Sequence, residues 1–137
     1  MSSSIPIIRL GDYLLATAQT ELDDATATAF ADELGQRIAD TAARGVMLDI
    51  SKLELVDSFI ARTLVDIAGM ARLLGARLVL AGMRPAVAIT LVELGLPLPG
   101  VETALDVEQA MDKLAGTAQP VQLPRYTAGE NPGALRG

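Results

Sequence analysis

The stretch Val46–Arg62, with the sequence VMLDISKLELVDSFIAR, decides how this chain folds. Val46 to Ile50 is a nearly continuous apolar run, which is typical of a strand covered on both faces. A short loop follows, and from about Asp57 to Leu74 apolar residues recur at helical spacing. The stretch therefore predicts a buried strand, a loop and a long helix, with Ser58 on the first turn of that helix.

The same alternation continues on either side of this stretch. The predicted strands are Ile5–Leu10, Tyr13–Ala18, Val46–Ile50, Arg77–Ala81 and Val101–Ala104, and helices are expected from Asp23 or Asp24 to about Arg44, from Asp57 to Leu74, from Pro85 to Gly95 and after the cap Asp106. Strands that alternate with helices imply parallel crossovers, and the first two strands are close enough for a hairpin. The prediction is an α/β fold with a mixed sheet of about five strands and about four helices. The sheet is mostly parallel, with an antiparallel N-terminal edge strand.

The chain of 137 residues is long enough for one domain and a tail. We assign residues 1–115 to the domain. Residues 116–137 are rich in Gly, Pro and small polar residues without a sustained period, so we predict a flexible C-terminal tail. Gly45 is expected to stop the first long helix, because glycine commonly follows a helix end.

The composition excludes most kinds of active site. The sequence has no His and no Cys, so a thiol nucleophile or a Ser-His-Asp set cannot form and a transition-metal site is not expected. It also lacks the Gly-rich signatures that cradle phosphates. We therefore predict a protein that is not an enzyme and that needs no cofactor and no metal. A small α/β enzyme or ligand-binding module remains as an alternative.

Charge and hydropathy bear on partners and location. The net charge of −6 disfavours both nucleic acid and anionic membrane surfaces. No apolar run approaches the ~20 residues that span a bilayer, and the first residues do not resemble a signal peptide, so we expect a cytoplasmic protein without a membrane partner. The mean hydropathy of +0.36 is high for a small domain and favours surfaces that meet other subunits.

Ser58 is the residue of greatest chemical interest. A helix start favours negative charge, and Arg62 shares a helix face with Ser58, so a phosphate on Ser58 would be tolerated there. Asp57 beside it would oppose that phosphate. Ser58 is equally suited to be the N-cap of the helix, and the two roles are compatible.

The segments Leu48–Ser51 and Val56–Ser58, followed by a long helix, resemble the STAS family, the sulfate-transporter and anti-sigma-factor-antagonist domain. Gly75–Pro85 resembles the fourth strand and third helix of that family. Free anti-sigma-factor antagonists usually carry a small or hydroxyl residue and then Gly after the Asp-Ser pair. Phe59 and Ile60 stand there in this chain.

Val56–Arg62 and Pro85–Gly95 look like the small single-domain STAS subunit of the stressosome (RsbS-type). The resemblance implies a non-enzymatic scaffold that self-associates into a large assembly with a two-domain STAS paralogue (RsbR-type). It also implies capture of a switch serine kinase (RsbT-type), with release of the kinase in a stress signalling pathway. The alternative is a freestanding antagonist that binds an anti-sigma kinase in a partner switch.

Carried over by position, the resemblance makes Ser58 the phosphorylation site. The residues expected to bind partners are Asp57, Phe59, Arg62, Ala86, Val87 and Ile89. The last three open the third helix, which is apolar around most of its circumference and so suits packing against another subunit. A short helix buried within the domain would show the same composition.

Overall fold

The computed structural model describes residues 5–95 and 101–116. In chain order the elements are β1 (Ile7–Leu10), β2 (Tyr13–Thr17), α1 (Asp24–Thr41), β3 (Gly45–Asp49), α2 (Ser58–Leu73), β4 (Arg77–Ala81), α3 (Pro85–Glu93), β5 (Glu102–Ala104) and α4 (Val107–Ala115). This order confirms the predicted fold class. Residues 96–100, between the predicted third helix and last strand, and the predicted tail except for its first residue, Gly116, lie outside the described residues.

The strands form one sheet in the order β1-β2-β3-β4-β5. β1 is antiparallel to β2 at the edge, and the remaining neighbours are parallel, as predicted. The β1–β2 turn is Gly11-Asp12, and of these two residues only Gly11 has a positive φ, +62°. That combination is a type II′ turn, whose twist matches that of a two-stranded hairpin.

The two faces of the sheet are covered unequally. α1, α2 and α3 pack on one face, where Val46 and Leu48 of β3 enter the larger core cluster. Met47 points to the opposite face and packs in a smaller cluster with Ala110 and Leu114 of α4. Because successive strand residues face opposite sides, covering both faces requires the continuous apolar run seen in β3.

The prediction that Gly45 stops the first helix is wrong. α1 ends at Thr41, and Ala42 takes the left-handed conformation with φ 53°. Gly45 is instead the first residue of β3, and a Cβ built on it would lie 2.7 Å from Leu114 Cδ2. A side chain at this position would have to displace Leu114, so the glycine leaves room for that residue of α4 against the sheet.

Gly35 allows a close contact between α1 and α2. A Cβ added to Gly35 would lie 2.9 Å from the sulfur of Met70 in α2. A Cβ added to Gly69, which is also in α2, would have no atom within 4 Å. The two helical glycines thus share a backbone conformation and differ in what surrounds them.

We expect Gly69→Ala to raise the free energy of unfolding by up to about 1 kcal/mol, because alanine has the higher helix propensity. Gly35→Ala should gain less, since the Met70 side chain has to move away from the new methyl group. Urea unfolding of both variants measures the difference. Equal gains would show that Met70 repacks without cost.

A two-pronged ion pair joins β4 to β5. Arg77 donates from Nε to Glu102 Oε2 at 2.9 Å and from its terminal nitrogen to Oε1 at 2.6 Å. The hydrogen bond from Arg77 lowers the pKa of the Glu102 carboxyl, and burial partly opposes that shift. Lys113 of α4 donates to the Thr103 carbonyl, so the short strand β5 is tied on two sides.

A carboxyl with a lowered pKa in the folded state stabilises the fold above its unfolded pKa, which is about 4.3 for Glu. That stabilisation is lost as the pH falls through the folded pKa. Glu102→Gln should therefore lower the stability at pH 7, and the gap to wild type should close below about pH 4. Thermal unfolding from pH 7 to pH 3 tests this. A gap that stays constant with pH would contradict the role of the carboxylate.

Candidate functional site

Ser58 lies at the edge of the sheet where the parallel strands end. The segment between β3 and α2, residues 50–57, is called the switch loop below. Its last residue, Asp57, has an extended backbone and accepts a hydrogen bond at Oδ1 from the Ile60 amide at 2.9 Å. Asp57 is therefore the N-cap of α2, and the interpretation of Ser58 as the cap is wrong.

Ser58 is the first helical residue and is exposed. Within the described ranges its hydroxyl has no hydrogen-bond partner. Because Asp57 already caps the helix, the Ser58 side chain can be modified without loss of that cap.

Arg62 lies one helical turn beyond Ser58 and is exposed. In the part of the chain that the structure describes, it forms no ion pair. Side chains one turn apart on a helix are neighbours, so the guanidinium is placed to meet a charge added at Ser58. The structure thus places Ser58 and Arg62 one turn apart on α2, as their spacing predicts, with the capping residue Asp57 next to Ser58.

The switch loop is anchored although it lacks regular structure. Leu53 and Val56 are buried in the core. The Leu53 amide donates to the Ile50 carbonyl, and the Glu54 amide donates to the Thr20 carbonyl, both at 3.1 Å. These contacts fix the middle of the loop and leave its outer side chains in solvent.

A groove runs beside Ser58, between the switch loop and the segment that precedes α1. Its lining combines apolar side chains with carboxylates and comprises Glu21, Leu22, Asp23, Leu55, Val56, Asp57 and Ile60. Leu55 is 68% exposed and Phe59, next to Ser58, is 43% exposed. Exposed apolar groups of this size beside an acidic rim are typical of a surface that meets a protein.

Asp23 in this groove is also a helix cap. Its Oδ1 accepts from the Thr26 amide at 2.7 Å, and this hydrogen bond lowers the pKa of the carboxyl. The same hydrogen bond thus caps α1 and favours the charged form of Asp23. Sequence reasoning did not identify Leu55 or this groove. The available signal was Leu55 itself, an apolar residue between Leu53 and Val56 in a loop.

The outer face of α3 is a second apolar surface. Ile89 is 58% exposed and Val92 is 80% exposed, and Ala86 is exposed as well. Val87 is only 1% exposed and packs in the core with Leu91. The structure therefore corrects the prediction for Val87, whose side chain cannot reach a partner. Ala86 and Ile89 remain on the surface.

Two further properties of the described residues bear on function. They contain no group of three or more His, Cys, Asp or Glu side chains arranged to hold a metal ion. Over residues 5–95 and 101–116, no helix has the length and apolarity needed to cross a membrane.

Comparison with known proteins gives the family. The model of the STAS domain matches residues 4–110, which is most of the chain. The chain belongs to the STAS domain family. The resemblance inferred from the strand, loop and Asp-Ser pair is thereby confirmed.

Two solved structures are similar in both sequence and fold. The S58E variant of RsbS from Moorella thermoacetica is 43% identical, covers 83% of this chain and 97% of its own, and has a TM-score of 0.72. A structure described as the molecular architecture of the stressosome, a signal integration and transduction hub, is 41% identical with a TM-score of 0.66. It covers 83% of this chain and 99% of its own.

The RsbT co-antagonist protein RsbRA of Bacillus subtilis is 35% identical over 72 residues, which is 45% of this chain. The chain spans only 26% of the length of RsbRA. The sequence similarity is therefore limited to about a quarter of RsbRA. The remaining part of RsbRA is not matched by this chain.

The capping geometry makes a direct prediction. Asp57→Ala should lower the free energy of unfolding by about 1 kcal/mol, because it removes the N-cap hydrogen bond of α2. Ser58→Ala, the matched control, should leave stability nearly unchanged, since the Ser58 hydroxyl makes no hydrogen bond within the described ranges. Urea unfolding of both variants is the measurement. If Ser58→Ala is the more costly change, Ser58 is the cap after all.

Proposed function

We propose that this protein is a non-enzymatic stressosome scaffold that captures a serine kinase and releases it when Ser58 is phosphorylated. The observation that carries the proposal is the exposed Ser58 hydroxyl, which makes no hydrogen bond within the described ranges and follows the capping residue Asp57. The similarity to RsbS, and to a variant in which a serine became glutamate, supports it.

A phosphate on Ser58 would add about 1.5–2 negative charges. The N-terminus of α2 and the guanidinium of Arg62 stabilise such a charge, so the helix survives the modification. Asp57 and the carboxylates of the groove, Glu21 and Asp23, already make this surface acidic. The added charge therefore changes the surface offered to a partner much more than it changes the fold.

The partner that responds is a switch serine kinase of the RsbT type. We place its contact on the exposed side chains around Ser58, namely Asp57, Phe59 and Arg62. Phe59 and Leu55 offer apolar area, which stabilises a complex only when water is excluded from it. A phosphate beside this area would have to be desolvated on docking, so binding is weakened and the kinase is released.

The partners in the assembly are further copies of this chain and a two-domain paralogue of the RsbR type. The apolar outer face of α3, with Ala86 and Ile89, supports association with other subunits. The relationship to RsbRA, whose name makes it a co-antagonist of RsbT, points to the same system. A freestanding antagonist would not need a second exposed apolar surface in addition to the one around Ser58.

Phosphotransfer tests the switch. Incubation with a purified RsbT-type kinase and ATP should place phosphate on Ser58 of wild type and none on the Ser58→Ala variant. Ser51→Ala is a matched control that should be phosphorylated like wild type, because Ser51 is an exposed serine of the switch loop that precedes Ser58. Mass spectrometry locates the phosphate. Equal phosphorylation of wild type and Ser58→Ala would refute the assignment.

Release is tested separately. Ser58→Asp should capture less kinase than wild type in a pulldown, while its circular dichroism and unfolding midpoint stay unchanged. Sedimentation of the protein with an RsbR-type paralogue then separates the two roles. A large complex supports the scaffold, whereas a stable monomer or dimer would favour the freestanding antagonist.

A further inference from the structure

Arg84 occupies a position that is unfavourable by local rules. It is the N-cap of α3, has an extended backbone and makes no capping hydrogen bond with its side chain. A guanidinium cannot accept a hydrogen bond, and a cation near a helix N-terminus is disfavoured by the helix dipole. An arginine at this position therefore suggests a contact elsewhere that outweighs the local cost.

That contact is with the switch loop. Arg84 Nε donates to the Ser51 carbonyl oxygen at 3.0 Å, and its terminal nitrogen lies 3.6 Å from Glu54 Oε2. One side chain thus joins the start of α3 to two residues of the loop that leads to Ser58. These two contacts are called the Arg84 clamp below.

Gly82 brings the two loops close enough for the clamp. Its φ of +76° is a conformation that favours glycine, and a Cβ there would lie 2.9 Å from the Ser51 Cβ. The backbone of the β4–α3 connection therefore lies directly against Ser51. Arg84 follows two residues later and reaches back over the same loop.

The clamp complements the other anchors of the loop. Glu54 is held through its amide by the Thr20 carbonyl, and Leu53 is buried. Ser51 is held by a bond from its amide to Asp49 Oδ1, which is local in sequence. The clamp is thus a tertiary contact that fixes the carbonyl of Ser51 and the side chain of Glu54 together.

We propose that Arg84 is a positioning residue that, through the Arg84 clamp, holds Ser58 in the geometry required for phosphorylation. This inference rests on the proposed function. In the transfer, the Ser58 oxygen bonds to the γ-phosphorus of ATP, the bond to the β-phosphate oxygen breaks, ADP leaves, and the kinase accepts the hydroxyl proton. Such a transfer depends mainly on alignment, so a displaced loop slows it without altering its chemistry.

The test compares Arg84→Ala with Arg44→Ala. Arg44→Ala removes the same charge and a more exposed ion pair, to Asp12 at 3.9 Å, at the opposite end of the parallel strands. Amide exchange of Leu53 and Glu54, read by NMR without kinase, reports on the loop itself. Loss of a hydrogen bond from a charged donor should speed that exchange about tenfold in Arg84→Ala.

The second measurement is the kinetics of Ser58 phosphorylation by the RsbT-type kinase with ATP. Arg84→Ala should lower kcat for Ser58 several-fold with little change in KM for the scaffold, and Arg84→Lys, which keeps the charge, should recover part of it. Arg44→Ala should match wild type in exchange and in kinetics. Together these results support the positioning role.

Three outcomes would overturn it. Unchanged exchange in Arg84→Ala would show that the clamp does not hold the loop. A raised KM with unchanged kcat would make Arg84 a docking contact instead. If wild type receives no phosphate on Ser58 although exchange does rise in Arg84→Ala, the clamp is structural, and both the proposed function and the positioning role fail.

Discussion

The structure depends on burying β3 on both faces. Gly45, Val46, Met47 and Leu48 are buried, and β3 lies between two parallel neighbours that satisfy its main-chain groups. Such a strand needs helices on both sides, and α4 approaches closely because Gly45 has no side chain. The chain reaches solvent only where β3 ends. The polar residues of the switch loop therefore lie at the carboxyl ends of the parallel strands.

The capping arrangement explains how one residue can be altered without harm to the fold. Asp57 supplies the hydrogen bond that α2 needs, and Leu53 and Val56 anchor the loop in the core. The Ser58 hydroxyl, in contrast, makes no hydrogen bond in the described part of the chain. Had Ser58 been the cap, adding a phosphate would have disturbed the start of α2. Asp57 therefore stabilises the helix start, and in the proposed function the neighbouring Ser58 carries the signal.

The sequence was sufficient for the elements and their order, because the apolar run of β3 and the helical period of α2 are strong local signals. It also placed Ser58 and Arg62 on one face. The sequence did not reveal that Gly45 begins a strand and packs against Leu114, because Leu114 is distant in the chain. Val87 was misassigned because an apolar helix does not reveal which side faces the core. The groove beside Ser58 was missed since two distant loops form it.

The position of Ser58 also determines what a phosphate can do there. The N-terminus of α2 and Arg62 favour the added charge, while Asp57 and the acidic groove oppose it. These effects would offset each other within the domain, so under the proposed switch the modified protein is expected to retain its fold. No such compensation exists for a partner that must cover Phe59 and Leu55, because excluding water from a phosphate is costly. In the proposed switch, a helix start with mixed charges would therefore make phosphorylation act on partner binding rather than on the fold.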